Sequence, residues 1–182
     1  MSDETKTMYQ DWRIKRWDSP ISDTRAIAMV SLIDTQQRLE IIVEAYRLPN
    51  RPRWKFTFSK YPAYRNILEE HRLTLWNHLK ETNQFCGHTF IIEESPWIAS
   101  FEPEEPLLAL NYKMLRHFVI STDDVIDVLS NAEPKIESIE PASTDAPEPG
   151  KSQNLYLPAD KDKVDDLIEK IKGRQKSLTP EK

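Results

Sequence analysis

Along Arg53–Lys60 the chain alternates strictly, with Trp54, Phe56 and Phe58 on one side and Arg53, Lys55, Thr57 and Ser59 on the other. A period of two is the repeat of a strand with one face turned to a core. The three rings are therefore expected inside and the bases in water. Trp12–Trp17 alternates in the same way and stops at Asp18-Ser19-Pro20, where proline cannot donate to a ladder. Thr24–Asp34 is apolar at nearly every position, and its β-branched Ile27, Val30 and Ile33 favour a buried strand over a short helix. Across the turn at residues 34–37, Arg38–Leu48 completes a hairpin.

The period changes after the Tyr61-Pro62 break. From Tyr64 to Asn83, Leu68, Leu75 and Leu79 with Arg72 and Trp76 form a stripe at helical spacing, so a helix is expected, ending before Gly87. Residues 64–70 could instead extend the sheet. His88–Phe101 reads as a strand kinked at Pro96, and Pro103–Leu115 as a loop leading to a helical turn. Arg116–Ser130 reads as two strands joined by an Asp-rich turn at Asp123-Asp124.

Together these elements predict an α+β domain over residues 11–131, a mainly antiparallel sheet with one principal helix, after a disordered N-terminus at 1–10. Five of the thirteen prolines fall in residues 132–159, with few residues able to bury area, so that segment is expected to be a disordered linker. Beyond it, Val164, Leu167, Ile168 and Ile171 mark an amphipathic helix over 160–176, followed by a disordered tail at 177–182.

Composition narrows the function classes. The formal charge is −5, with 16 bases against 19 acids in residues 1–131 and 9 against 11 beyond, so bulk charge drives the chain onto neither nucleic acid nor anionic lipid. The single cysteine, Cys86, excludes an intramolecular disulfide, and the N-terminus has no apolar signal-like run. A cytoplasmic location and no membrane association are expected. Only Gly87 of the three glycines precedes residue 132, which excludes glycine-rich phosphate loops.

Catalytic and metal chemistry find little footing. His71 and His78 lie two helical turns apart, about 10 Å along an axis, too far for one metal. Adjacent acids such as Glu93-Glu94 point to different faces and make poor acid–base pairs. Cys86 beside His88 suggests a thiolate, but a sequence neighbour rarely has the geometry of a base. No enzyme, cofactor or metal is expected.

The basic stretch is the exception within its own chain. Residues 46–68 (YRLPNRPRWKFTFSKYPAYRNIL) hold six bases, six aromatics and no acid. Bases on an edge strand serve to block aggregation. As a binding surface, Arg47, Arg51, Arg53 and Lys55 around the Pro49–Pro52 turn would meet an acidic protein. Nucleic acid is the alternative partner, weakened because its stacking rings fall opposite the bases.

The runs YPAYRNILEE, SPWIASF and RHFVISTDDVIDVLSNAEPKI, spanning about residues 61–136, resemble small bacterial proteins of toxin–immunity and phage-related loci. The resemblance implies a compact binder that neutralises or tethers a partner without catalysis, and it carries over no functional residue. The expected function is thus protein binding, immunity-like or adaptor, with a nucleic-acid-associated regulator as the alternative.

Overall fold

A computed structural model describes residues 12–104 and 114–143. The expectations for residues 1–10, 144–159, 160–176 and 177–182 lie outside them. The order of elements is β1 (Arg13–Arg16), β2 (Ile27–Asp34), β3 (Leu39–Ala45), β4 (Arg53–Phe58), β5 (Ala63–Leu68), a 3-10 turn (Glu69–His71) and α1 (Leu73–Glu81). Then come β6 (Thr89–Glu93), α2 (Pro96–Glu104), β7 (Arg116–Ser121), β8 (Asp124–Ser130) and β9 (Lys135–Ile139).

The fold is α+β and its strands pair antiparallel throughout, in two sheets. One runs β1-β6-β7-β8-β5 and the other β2-β3-β4-β9. Alternation decides how they stack. Ile41 and Val43 of β3, Phe56 and Phe58 of β4, Phe118 and Ile120 of β7, and Ile126 and Val128 of β8 share one core between the sheets. Phe118 anchors it, meeting Trp17 at 5.1 Å and Phe58 at 5.7 Å edge to face. The opposite face of the five-stranded sheet carries Phe90, Ile92, Val119 and Val125, which Leu75 and Leu79 of α1 cover. Two β layers and a helical layer result.

The strand β4 is as the alternation predicts, with Phe56 and Phe58 buried and Trp54 half-buried against the same core. Three expectations change. The residues expected to begin the long helix instead form β5, the sheet alternative, because Tyr64 reaches the core between the sheets while Arg65 faces Asp127 on β8. The strand expected to kink at Pro96 ends at Glu93, and α2 starts there. Ser95 accepts the Ala99 N–H on its carbonyl and the Ile98 N–H on its hydroxyl, while proline at the first helical position loses no bond. Glu94, at φ 55°, makes the reversal between them.

The third correction concerns the expected linker. Lys135–Ile139 is a strand on the edge of β4, with Phe56 opposite Ile136 and Lys55 opposite Glu137. A strand that borrows its stability from a backbone ladder needs few apolar side chains, and Ile136 packing on the core suffices. Pro134 and Pro141 sit just outside it, where a missing N–H costs nothing.

Candidate functional site

The basic hairpin is largely self-neutralised. Glu44 on β3 lies opposite Arg53 on β4, and its side chain is fully buried. Arg53 Nε donates to Glu44 Oε2 at 2.6 Å, and Arg51 Nε and Nη2 each lie 2.6 Å from Oε1. The stems of both arginines cover the acid, although it belongs to the sheet face expected to be solvated. Lys55 is half-buried and lies 3.7 Å from Glu137. Arg47 alone of the four is exposed, its guanidinium 5.7 Å from the ring centre of Tyr46. The expectation that Arg51 and Arg53 present free charge is therefore corrected. Counting outward from the Pro49–Pro52 turn would set Arg53 opposite Leu48; the loop begins earlier, after Ala45, and that brings Glu44 opposite Arg53.

A different cluster occupies the helical side of the five-stranded sheet. Arg65 on β5 and Asp127 on β8 are register partners, and Val119 on β7 continues the row. Asp127 is fully buried and receives three donors. Arg65 Nε reaches Oδ2 at 2.9 Å, Arg72 Nη2 reaches Oδ1 at 2.9 Å, and His117 Nε2 reaches Oδ1 at 2.7 Å. Arg72 stands immediately before α1, and His117 is on β7. The other imidazole nitrogen, Nδ1, lies 2.7 Å from Ser95 Oγ at the start of α2.

The carboxylate can only accept, so His117 Nε2 carries the proton and Nδ1 accepts from the Ser95 hydroxyl. Burial holds the His117 pKa below its ordinary value against the hydrogen bond and charge of Asp127, and the Arg65 and Arg72 charges add to the lowering. Burial pushes the Asp127 carboxyl up. The His117 hydrogen bond and the neighbouring positive charges outweigh it and hold the group below its ordinary value.

A serine, histidine and aspartate in sequence invite comparison with a nucleophilic relay. That chemistry needs an imidazole that gains a proton readily and a carboxylate free to stabilise it. Here two guanidinium groups already neutralise Asp127 and oppose an imidazolium. The hydroxyl also caps α2. The arrangement orders α2 and the start of α1 over the sheet, and leaves His117 a weak base.

What this cluster leaves open is Arg65. Its guanidinium lies 4.3 Å from the centre of the Trp97 ring, and its side chain is about one-third exposed. Neither terminal nitrogen is hydrogen-bonded to the described protein. Trp97 on α2 also meets His117 edge to face at 5.3 Å. These groups line a pocket of about 260 Å³ together with Arg72, Ser95 and Ser100. The charged side chains among the described lining residues are the guanidinium groups of Arg65 and Arg72.

The other residues singled out in the sequence are placed as follows. Cys86 is partly buried, its thiol pushed up by burial and donating to the Gln84 carbonyl at 3.1 Å. His78 is buried and hydrogen-bonds the Trp12 carbonyl, and His71 is exposed beside Glu70. Among the described residues no three His, Cys, Asp or Glu side chains are grouped to hold a metal ion, and no helix is long and apolar enough to cross a membrane. The Arg65–Asp127 cluster was not foreseen. Its members lie up to 62 residues apart, and its one sequence signal is an aspartate amid the apolar run of β8. Comparison with protein-family models, with curated proteins and with solved structures finds no match.

Proposed function

We propose that this chain is a non-catalytic binding protein, of the immunity-like or adaptor kind its sequence resembles, and that it receives an acidic group of a protein partner at Arg65. The supporting observation is the state of that side chain. Asp127 holds it through Nε and the centre of the Trp97 ring lies 4.3 Å from its guanidinium, while the residue lines an open pocket and neither terminal nitrogen is hydrogen-bonded within the described residues. A guanidinium held this way has already lost its rotamer freedom, so little ordering cost remains when a carboxylate forms a two-pronged bond with it. Tryptophan and arginine are also among the residue types enriched where interface binding energy concentrates.

The nucleic-acid alternative has less to stand on. Phe56 and Phe58 are buried, and Arg51 and Arg53 are held by Glu44, so the hairpin offers neither stacking rings nor a free basic stripe.

Titration of the isotope-labelled full chain with a hexaglutamate peptide tests the proposal. Saturable shifts at the Trp97 indole and the Arg65 side chain are expected, absent with hexaglutamine and lost in Arg65→Gln. Shifts that instead centre on Arg47 and Tyr46, or that match for both peptides, would overturn it.

A further inference from the structure

At the other end of β7, where the chain turns toward β8, a second cavity of about 400 Å³ has a different lining. Three aromatic rings from separate elements border it: Tyr46 after β3, Trp76 on α1, and Phe85 in the α1–β6 loop. Its charged side chains are carboxylates, Glu69 from the 3-10 turn and Asp123 from the β7–β8 turn. His88 completes the polar lining. Its Nδ1 donates to the Ser121 carbonyl at 2.7 Å.

The most exposed ring is Phe85, at 84% of its free surface. Its loop is not loosely held. Gln84 accepts the Ile14 N–H on its side chain and gives its own N–H to Leu79, and the His88 N–H bonds the Ser22 carbonyl. Gly87, at φ 76°, lets this backbone approach Ser22, where a Cβ would drive into the carbonyl oxygen. The loop backbone is thus held, and the ring it carries stands in water beside the cavity. Trp76 is similarly pinned, its indole N–H donating to the Glu69 carbonyl. Asp123 is held by the Met29 N–H through Oδ1 only.

We propose that this cavity is a binding site for an organic ammonium group, such as a quaternary ammonium or the tip of a lysine side chain. The negative faces of aromatic rings attract a cation within about 6 Å, and the attraction grows where water is displaced. Two carboxylates then select a positive over a neutral occupant of the same shape. A cation of the protein itself meets one of these rings, since the Arg47 guanidinium lies 5.7 Å from the Tyr46 ring centre. The site is separate from the Arg65 pocket, of opposite charge preference, and independent of the function proposed for it.

The test is a titration of the full chain, followed by NMR of the Trp76 indole, with three probes: choline, N-acetyl-lysine amide, and 3,3-dimethylbutan-1-ol, the neutral isostere of choline. Saturable binding of at least one cation, with at least about tenfold preference over the alcohol, is expected. Choline alone would assign the site to quaternary ammonium groups, and the lysine amide alone to a protein side chain. Phe85→Ala, which removes an exposed ring, and Glu69→Gln should each weaken binding at least threefold without altering the fold, and Arg47→Ala should strengthen it. Equal binding of the alcohol, no saturable shift with either cation, or unchanged affinity in Phe85→Ala would overturn the proposal.

Discussion

Arg65 lies over Trp97, its guanidinium carbon 4.3 Å from the ring centre, while its Nε is hydrogen-bonded to the buried Asp127. A strand residue and a helix residue are thereby joined, and the guanidinium left between them is both charged and immobile. Expected behaviour follows from this cluster, from the Glu44 pair and from the edge strand β9.

Glu44 is buried with Arg51 and Arg53 as its cover. Replacing both arginines with glutamate would leave three acids around one buried site. Removing one side of a buried ion pair costs about 3–5 kcal/mol, so this double variant should unfold at markedly lower denaturant, whatever it does to binding. Chemical denaturation measures the effect directly. A midpoint like that of the parent would mean Glu44 reaches water and the hairpin bases are free.

Acid should destabilise the protein through His117 first. Its folded pKa lies below its unfolded value of about 6.5. The unfolded chain therefore binds a proton that the folded one refuses. The stability due to the neutral ring is fully present above about pH 6.5 and is lost as pH falls toward the folded pKa, at up to about 1.4 kcal/mol per unit. Asp127, also lowered, adds a further loss below about pH 4. The stability gap between the parent and His117→Gln should be constant above about pH 6.5 and narrow as the pH falls below it. A gap that stays constant below about pH 6.5 would refute a neutral, buried His117.

The strand alternation of β4 was legible because its period is local: Phe56 and Phe58 could be placed without knowing their neighbours. The hairpins β2–β3 and β7–β8 were legible for the same reason, each closing over a short turn. The residues of β5 and β9 were harder. Arg65-Asn66-Ile67-Leu68 fits a helical stripe as well as a strand, and only the partner strand β8 decides between them. Ala132–Ile139 has the composition of a linker, and its order comes from the open edge of β4. The same non-locality hid the site, since nothing near Arg65 in sequence points to Asp127, Trp97 or His117.

Truncation checks the role assigned to β9. A chain ending at Asn131 loses Ile136 from the core and exposes the edge of β4, whereas one ending at Ser143 keeps both. The shorter chain should be less stable by at least about 2 kcal/mol, the order of one large buried aliphatic side chain, and more prone to aggregate through the open edge. Equal stability of the two would show that β9 contributes nothing to the fold.

Gly87 should tolerate no side chain. Its positive φ and the close Ser22 carbonyl both oppose a Cβ, and the obstructing atom is backbone. Gly87→Ala should cost more than the roughly 1 kcal/mol of backbone strain alone, read from its unfolding midpoint. An unchanged midpoint would mean that the loop carrying Phe85 is free to move.

The most direct measurement compares Arg65→Gln with Arg47→Gln in calorimetric titrations with hexaglutamate, at a temperature where circular dichroism shows both variants fully folded, since Arg65→Gln also takes an ion partner from buried Asp127 and lowers the unfolding midpoint. Arg65 is held in a pocket and Arg47 is an exposed charge on the hairpin. Arg65→Gln is expected to weaken binding at least tenfold, about 1.4 kcal/mol, and Arg47→Gln to change it less than threefold. Binding that survives the loss of Arg65 and fails with the loss of Arg47 would contradict this expectation and return the site to the hairpin.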